Sequence, residues 1–298
     1  MDGVLSGVLV VDKPEGWTSH DVVNKMRGIA GTRRVGHLGT LDPIATGVLP
    51  LVVGQATRLA QFYTRSAKTY EAVVRFGFAT DTYDRAGVAT TEIVEPHIDA
   101  AELEAALAKS RGKHLQAPPP VSAKKVGGVP AYKLARRNID PELALVEVEI
   151  EELAVLKIEG PMASLLIRCS AGTYIRAIAH EAGLALRCGA HVHALRRTVA
   201  GNFTIAQARG IAEFQEKGAA ESLISMAEML PEIPSVIVDA LTAVQIRNGR
   251  DFHASPFRAQ PFRAQPGTRH VRAVSEGGDL IAIGEAKLPN IYHPIVVL

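Results

Sequence analysis

One carboxylate, Asp42, stands in the run Gly36-His37-Leu38-Gly39-Thr40-Leu41-Asp42-Pro43-Ile44-Ala45-Thr46-Gly47-Val48-Leu49-Pro50. A positioned carboxylate can act covalently, as a nucleophile, or electrostatically beside a reacting centre. The surrounding residues are suited to positioning it. Gly36, Gly39 and Gly47 permit backbone conformations that a side chain would forbid, and Pro43 fixes its own φ. The apolar run Val48-Leu49-Pro50-Leu51-Val52-Val53 behind them reads as a buried strand. Binding and catalytic groups commonly sit on loops held by such a scaffold. An Asp-Pro step also initiates turns, so on these residues alone Asp42 as a turn cap competes with Asp42 as a reactive group.

Over fifteen positions this run resembles the catalytic motif of the bacterial tRNA pseudouridine-55 synthases, the TruB family. The resemblance implies that Asp42 is the essential aspartate, the nucleophile, acting by attack at C1′ or by assisting glycal formation. In Lys68-Thr69-Tyr70-Glu71-Ala72, Tyr70 matches the family tyrosine that stacks on the target base. An aromatic face is worth about 1–3 kcal/mol per stacked base. Ser170-Ala171-Gly172-Thr173-Tyr174-Ile175-Arg176 matches a third motif. There Tyr174 would contact base or sugar and be a candidate proton-transfer group. Arg176 would pair with Asp42, its planar fork keeping the carboxylate ionised and aimed. Leu195, in His193-Ala194-Leu195-Arg196-Arg197, would line the uracil pocket, and His37 would stack under or replace a base beside the flipped one. Read without the resemblance, Tyr70 and Leu195 are core residues, Thr173 caps an ordinary helix start, and His37 is a satisfied surface group.

Lys13-Pro14 with Gly16-Trp17-Thr18-Ser19 matches the family's N-terminal motif, which implies structural support for the Asp42 loop. Ser122-Ala123-Lys124-Lys125, followed by Tyr132-Lys133-Leu134-Ala135-Arg136, resembles the insertion (about 109–138) that grips the T arm of tRNA, with Lys124 and Lys125 as contacts. Val121 stands where many relatives have tyrosine. The implied activity is isomerisation of uridine to pseudouridine in the T loop of tRNA. The base is flipped out, because stacked RNA hides its reacting atoms. The N1–C1′ bond breaks and a C5 bond forms without change of oxidation state, so neither cofactor nor metal is demanded. The chain shows no HExxH, paired CxxC, P-loop or GxGxxG after a strand. Two other readings are a guide-RNA-dependent synthase and a non-catalytic tRNA-binding or folding module. The basic insertion argues against the first. Asp42 with Arg176 argues against the second, since a carboxylate aimed into a phosphate-lined cleft repels its ligand.

Several elements must position these groups. Gly7 to Asp12 reads as a buried strand, and Thr18 or Ser19 caps a helix to about Ala30 with Val22, Val23 and Met26 inward. Thr69 to Phe78 alternates, with Tyr70, Ala72, Val74 and Phe76 on one face. Ala100 to Lys109 has helical spacing, and the Pro118-Pro119-Pro120 block ends anything helical. Val146, Val148 and Ile150 alternate with glutamates, and Leu165, Ile167 and Cys169 form another strand. Tyr174 to Leu186 reads as a helix with Ile178 and Leu184 inward. Strands with interspersed helices predict an α+β catalytic domain over 1–232, a pseudouridine synthase fold with a mixed, mainly antiparallel sheet. Two prolines in Leu230-Pro231-Glu232-Ile233-Pro234 mark a break. Ser235–Val238 and Leu280–Ile283 beyond it predict a small PUA-like β domain over 233–298. The duplicated Pro-Phe-Arg-Ala-Gln at 256–265 reads as a loop extension.

With 298 residues, 47% hydrophobic and 21% charged, the chain has the composition of a soluble globular protein. It has no apolar run long enough for a membrane span and no basic n-region at its start, and its two cysteines are too few for a disulfide framework. These features give the cytoplasm as the expected compartment and a monomer without an obligate protein partner as the default. Net charge is only +2, but Lys109 to Arg137 is basic without an acid, and Arg247, Arg250, Arg258, Arg263, Arg269 and Arg272 surround only Asp251. Such clusters can neutralise phosphates.

Overall fold

The computed structural model describes residues 5–121, 125–126, 129–130, 143–253 and 269–298. Its strands are β1 (Gly7–Lys13), β2 (Val35–His37), β3 (Ala45–Val53), β4 (Lys68–Phe76), β5 (Gly112–Gln116), β6 (Lys125–Val126), β7 (Val129–Pro130), β8 (Val146–Glu159), β9 (Met162–Cys169), β10 (Ala190–Ala200), β11 (Phe203–Thr204) and β12 (Ile224–Ser225), then β13 (Ser235–Val238), β14 (Phe252–His253), β15 (His270–Ser275), β16 (Leu280–Leu288) and β17 (Ile291–Val297). Among the described residues a large sheet runs β12-β1-β3-β10-β4-β9-β8-β5, with β2 on β3 and β11 on β10. Within it β3 and β10 are parallel neighbours and the other pairs are antiparallel. A second sheet runs β13-β15-β16-β17-β14, and β6 pairs with β7. This is the expected α+β architecture with a mixed sheet and a smaller C-terminal sheet.

Among the described residues the α-helices are α1 (Ser19–Ile29), α2 (Ala100–Ala108), α3 (Ile175–Ala185), α4 (Ile211–Lys217) and α5 (Ala240–Arg247). Thr18 caps α1 in a reciprocal box with Asp21, and Val22, Val23 and Met26 face inward. Among the described residues no helix is long and apolar enough to cross a membrane. One core lies between α1, α3 and the large sheet, where Leu9, Leu49, Tyr70, Val74, Leu165 and Ile178 pack together. A second lies between the two sheets and contains Val8, Val10, Val48 and Val52 with Leu280, Ile283 and Val296. The C-terminal sheet is therefore seated on the back of β1 and β3, whose front carries the Asp42 loop.

Two sequence expectations need correction. Leu184 is exposed. It lies six residues past Ile178, which at 3.6 residues per turn carries it about 120° round the helix from that side chain. The inward stripe is Ile175, Ile178, Ala179 and Ala182. Arg272 does not belong to a surface basic patch. Its guanidinium is spent on the carbonyls of Ile233 (2.7 Å), Ala227 (2.8 Å) and Met229 (3.1 Å) and so ties down the junction between the sheets. Arg269 is paired with Glu285, and Asp251 with Lys287 and His293. The duplicated 256–265 segment, with Arg258 and Arg263, lies outside the described residues.

Candidate active site

Asp42 lies in a loop between β2 and β3 in which the carbonyls of Gly39, Thr40, Leu41, Asp42 and Pro43 are each engaged. Arg197 Nη2 donates to Gly39 O (3.1 Å) and Nη1 to Thr40 O (3.3 Å), while its Nε donates to Val48 O (2.8 Å). Ser19 Oγ donates to Leu41 O (3.1 Å) and accepts from Leu41 N (2.8 Å). Ala45 N donates to Asp42 O, and Gly16 N to Pro43 O. Lys13 Nζ donates to the carbonyls of Trp17 (2.6 Å), Pro14 (2.8 Å) and Pro43 (3.3 Å). The N-terminal motif thus supports the loop directly. Gly47 has φ +98°, and a Cβ there would lie 2.2 Å from Arg197 O, so only glycine lets β3 and β10 meet at this point.

The loop forms one wall of a cleft of about 290 Å3, at the low end for small-ligand sites and suited to one nucleoside. Lys68 and Tyr70 of β4, Leu195 and Arg197 of β10, and the turn Ser170–Arg176 form the rest. The structure thereby gathers Asp42, Tyr70, Tyr174, Arg176 and Leu195, which lie far apart in sequence. Tyr70 and Leu195 belong to the core and line the cleft at once; each is less than a tenth exposed. Tyr174 sits at the N-cap of α3. Its backbone N–H donates to Gln116 Oε1 (2.8 Å) and its carbonyl accepts from Gln116 Nε2 (3.2 Å). Thr173 does not cap the helix; its hydroxyl donates to Ser170 O (3.0 Å).

Arg176 Nε lies 2.9 Å from Asp42 Oδ2. The contact is single rather than the bidentate fork expected, because the two terminal nitrogens are used elsewhere. Nη1 donates to Thr82 O (2.9 Å) and lies 3.5 Å from Asp84 Oδ2, and Nη2 donates to Val121 O (3.0 Å). Asp84 is buried, and its Oδ1 accepts from Thr82 Oγ1 (2.8 Å) and Ala86 N (3.0 Å). Asp42 shows about a third of its side chain to the cleft but lies deep in the protein, so burial pushes its carboxyl up from the usual range. Arg176 pulls it back, and the Asp84 carboxylate adds a smaller push upward. Burial also raises the Tyr70 phenol.

His37 ends β2, away from the cleft lining. Its Nδ1 accepts from Gly39 N (3.3 Å), and burial with the nearby Arg197 lowers its pKa, which keeps the ring neutral at pH 7. Lys124 lies outside the described residues, and of Lys125 only its backbone place in β6 is described. Residues not singled out from sequence include Lys68, Asp84, Gln116 and Arg197. The signals for two of them were there: Lys68 shares a strand face with Tyr70, and Arg197 with Leu195.

Comparison with known proteins shows what the chain is similar to. The model described as TruB family pseudouridylate synthase (N terminal domain) matches residues 27–175, and that of the tRNA pseudouridylate synthase B C-terminal domain matches 176–232. The chain is 57% identical over 298 residues to a tRNA pseudouridine synthase B of Solibacter usitatus (strain Ellin6076), covering 99% of this chain and all of that one. It is 38% identical over 290 residues to one of Geotalea uraniireducens (strain Rf4), covering 96% and 93%. Among solved structures, the crystal structure of a Cbf5-Nop10-Gar1 complex has a chain that superposes with TM-score 0.69 at 26% identity, covering 94% of this chain and 78% of that one.

Proposed function

The chain belongs to the TruB family and is a pseudouridine synthase, an isomerase; from that premise we propose that it converts the T-loop uridine of tRNA, position 55, to pseudouridine. The observation that carries the reading is the Asp42 carboxylate held 2.9 Å from a buried arginine in the wall of a nucleoside-sized cleft. The uridine enters this cleft flipped out of its stack, with Tyr70 against the ring and Leu195 on an apolar edge. Asp42 acts at C1′ as the N1–C1′ bond breaks and the bond's electron pair passes to the base. The base turns, C5 bonds to C1′, the C5 hydrogen leaves as a proton and N1 takes one up, with Tyr174 as the candidate proton-transfer group. Arg176 counteracts the burial that would protonate Asp42 and keeps it aimed. No redox or metal chemistry enters the balance of this reaction.

The insertion around 109–138, with Lys124 and Lys125, grips the T arm, and His37 fills space beside the flipped base. Residues 233–298 form a second RNA-binding unit beside the catalytic domain 1–232. The protein works as a cytoplasmic monomer.

The test is tritium release from tRNA transcripts carrying 5-tritiated uridine, wild type beside Asp42→Asn. Wild type should release one equivalent per tRNA. Asp42→Asn should release none and keep tRNA affinity within about tenfold, since phosphate contacts supply most of it. Substantial turnover by Asp42→Asn would remove Asp42 from its role. Tight binding with no release by either protein would favour the binding-module reading.

A further inference from the structure

Arg176 is aimed by groups on a turn that the family motifs do not explain. Thr82 supplies the carbonyl on its Nη1, and Asp84 supplies the buried carboxylate 3.5 Å away. Between them stands Tyr83, whose φ is +62°, a left-handed conformation that an aromatic residue seldom adopts. The turn is stitched to β10, because Val192 N donates to Tyr83 O (3.0 Å) and Arg85 N to Val192 O (3.0 Å). Beyond the contacts to Arg176, the turn meets α3, the helix that carries that arginine, through a pair of rings. Tyr83 stacks on His180 with centroids 3.7 Å apart and planes 6° from parallel. His180 stands four residues after Arg176, on the next turn of the same helix face. Its Nδ1 is buried without a hydrogen-bond partner, so no hydrogen bond at that nitrogen orients the ring. Burial also lowers its pKa, and the imidazole stacks uncharged.

We propose that Tyr83 and His180 are positioning residues for the isomerisation, their ring stack clamping the Thr80–Gly87 turn onto α3 so that Thr82 and Asp84 hold Arg176 against Asp42. The inference rests on the isomerase reading above. The strained φ and the ring make separable demands. Glycine satisfies the backbone and loses the stack, whereas phenylalanine keeps the stack and the strain.

The experiment compares Tyr83→Gly, Tyr83→Phe and wild type by single-turnover tritium release and by tRNA affinity. Tyr83→Gly should lose at least tenfold in rate with affinity within about twofold of wild type, and Tyr83→Phe should recover at least a third of the wild-type rate. A merely structural turn residue would show the opposite order, with glycine at or above the wild-type rate, and that result overturns the proposal. A loss confined to affinity overturns it as well. His180→Ala against His180→Phe carries the same test from the other ring, should Tyr83→Gly fail to fold. The double variant Tyr83→Gly/His180→Ala should be no slower than the worse single one, because both remove one contact; independent, multiplying losses would overturn the clamp. Wild type that releases no tritium would bring down the isomerase reading and this one together; wild type that releases it while Tyr83→Gly matches its rate brings down the clamp alone.

Discussion

The cleft and the C-terminal sheet treat charge in opposite ways. Around the cleft, Lys13, Lys68, Arg176 and Arg197 are buried, and their donors go largely to backbone carbonyls. On the C-terminal sheet, Asp251 pairs with Lys287 and His293, and Arg269 with Glu285, all at the surface. A cation removed from water and satisfied by carbonyls costs desolvation free energy that no ion pair returns in full. Tolerating that cost makes sense where the cations fix a loop and set a positive field for an RNA substrate and a base that departs with an electron pair. The C-terminal sheet obtains its stability from apolar packing of Val236, Ile246, Phe252, Val271 and Tyr292, and its charges are dispensable to its fold.

The largest break in this contrast is expected at Arg197. Arg197→Met strands the carbonyls of Gly39, Thr40 and Val48. Leaving several buried acceptors unpaired should cost about 3–5 kcal/mol of stability in urea unfolding. Turnover should fall at least about tenfold as the Asp42 loop loosens. Arg197→Lys should not restore it, because an ammonium cannot span three carbonyls in the geometry of a planar fork. Stability close to wild type would mean that the loop holds itself.

A smaller effect belongs to the two buried lysines, whose pKa values burial lowers to about 8. In the unfolded chain each holds its proton to about pH 10.4. Between these values the unfolded state binds more protons than the native one, so stability should rise with pH across this window. The gain should be about 1–2 kcal/mol per lysine, allowing for solvent that reaches the cleft. Lys68→Met should remove roughly half of that rise in unfolding curves taken between pH 7.5 and 10.5. A stability flat in pH for wild type would show that solvent reaches both ammonium groups.

The sequence carried different parts of the molecule unequally. Strand phase was readable for β4, where Tyr70, Ala72, Val74 and Phe76 face inward, and the Thr18–Asp21 box was readable for α1. The motif residues Asp42, Tyr70, Tyr174, Arg176 and Leu195 line one cleft. Motif spacing does not report on contacts closed by the fold. Asp84 meets Arg176 from a distant part of the sequence, and Gln116 clamps both backbone groups of Tyr174. Nothing local marks either residue as more than polar. The bidentate Asp42–Arg176 pair was expected because the chemistry of two side chains says nothing of their competitors. Thr82 O and Val121 O take the terminal nitrogens first. Hydrophobicity alone puts Leu184 inward, and its helical angle puts it outward, where it lies exposed.

The smallest effect is expected on the C-terminal sheet, and it sharpens the contrast. Asp251 accepts from Lys287 Nζ (2.8 Å) and lies 2.7 Å from His293 Nδ1, and these hydrogen bonds hold its carboxyl below the usual range. A carboxyl lowered in the folded state contributes stability above its unfolded pKa and loses it as pH falls through the folded one. Asp251→Asn should therefore differ little from wild type in thermal melts at pH 7. Whatever difference exists should vanish both in acid and at 1 M salt, where exposed pairs are screened. The same change leaves Lys287 and His293 without their carboxylate. Should this sheet meet tRNA phosphates, affinity will tighten at low salt, and the salt slope will steepen by up to about one. Affinity and slope unchanged would limit this sheet to packing against β1 and β3, and would leave the insertion as the source of phosphate contacts.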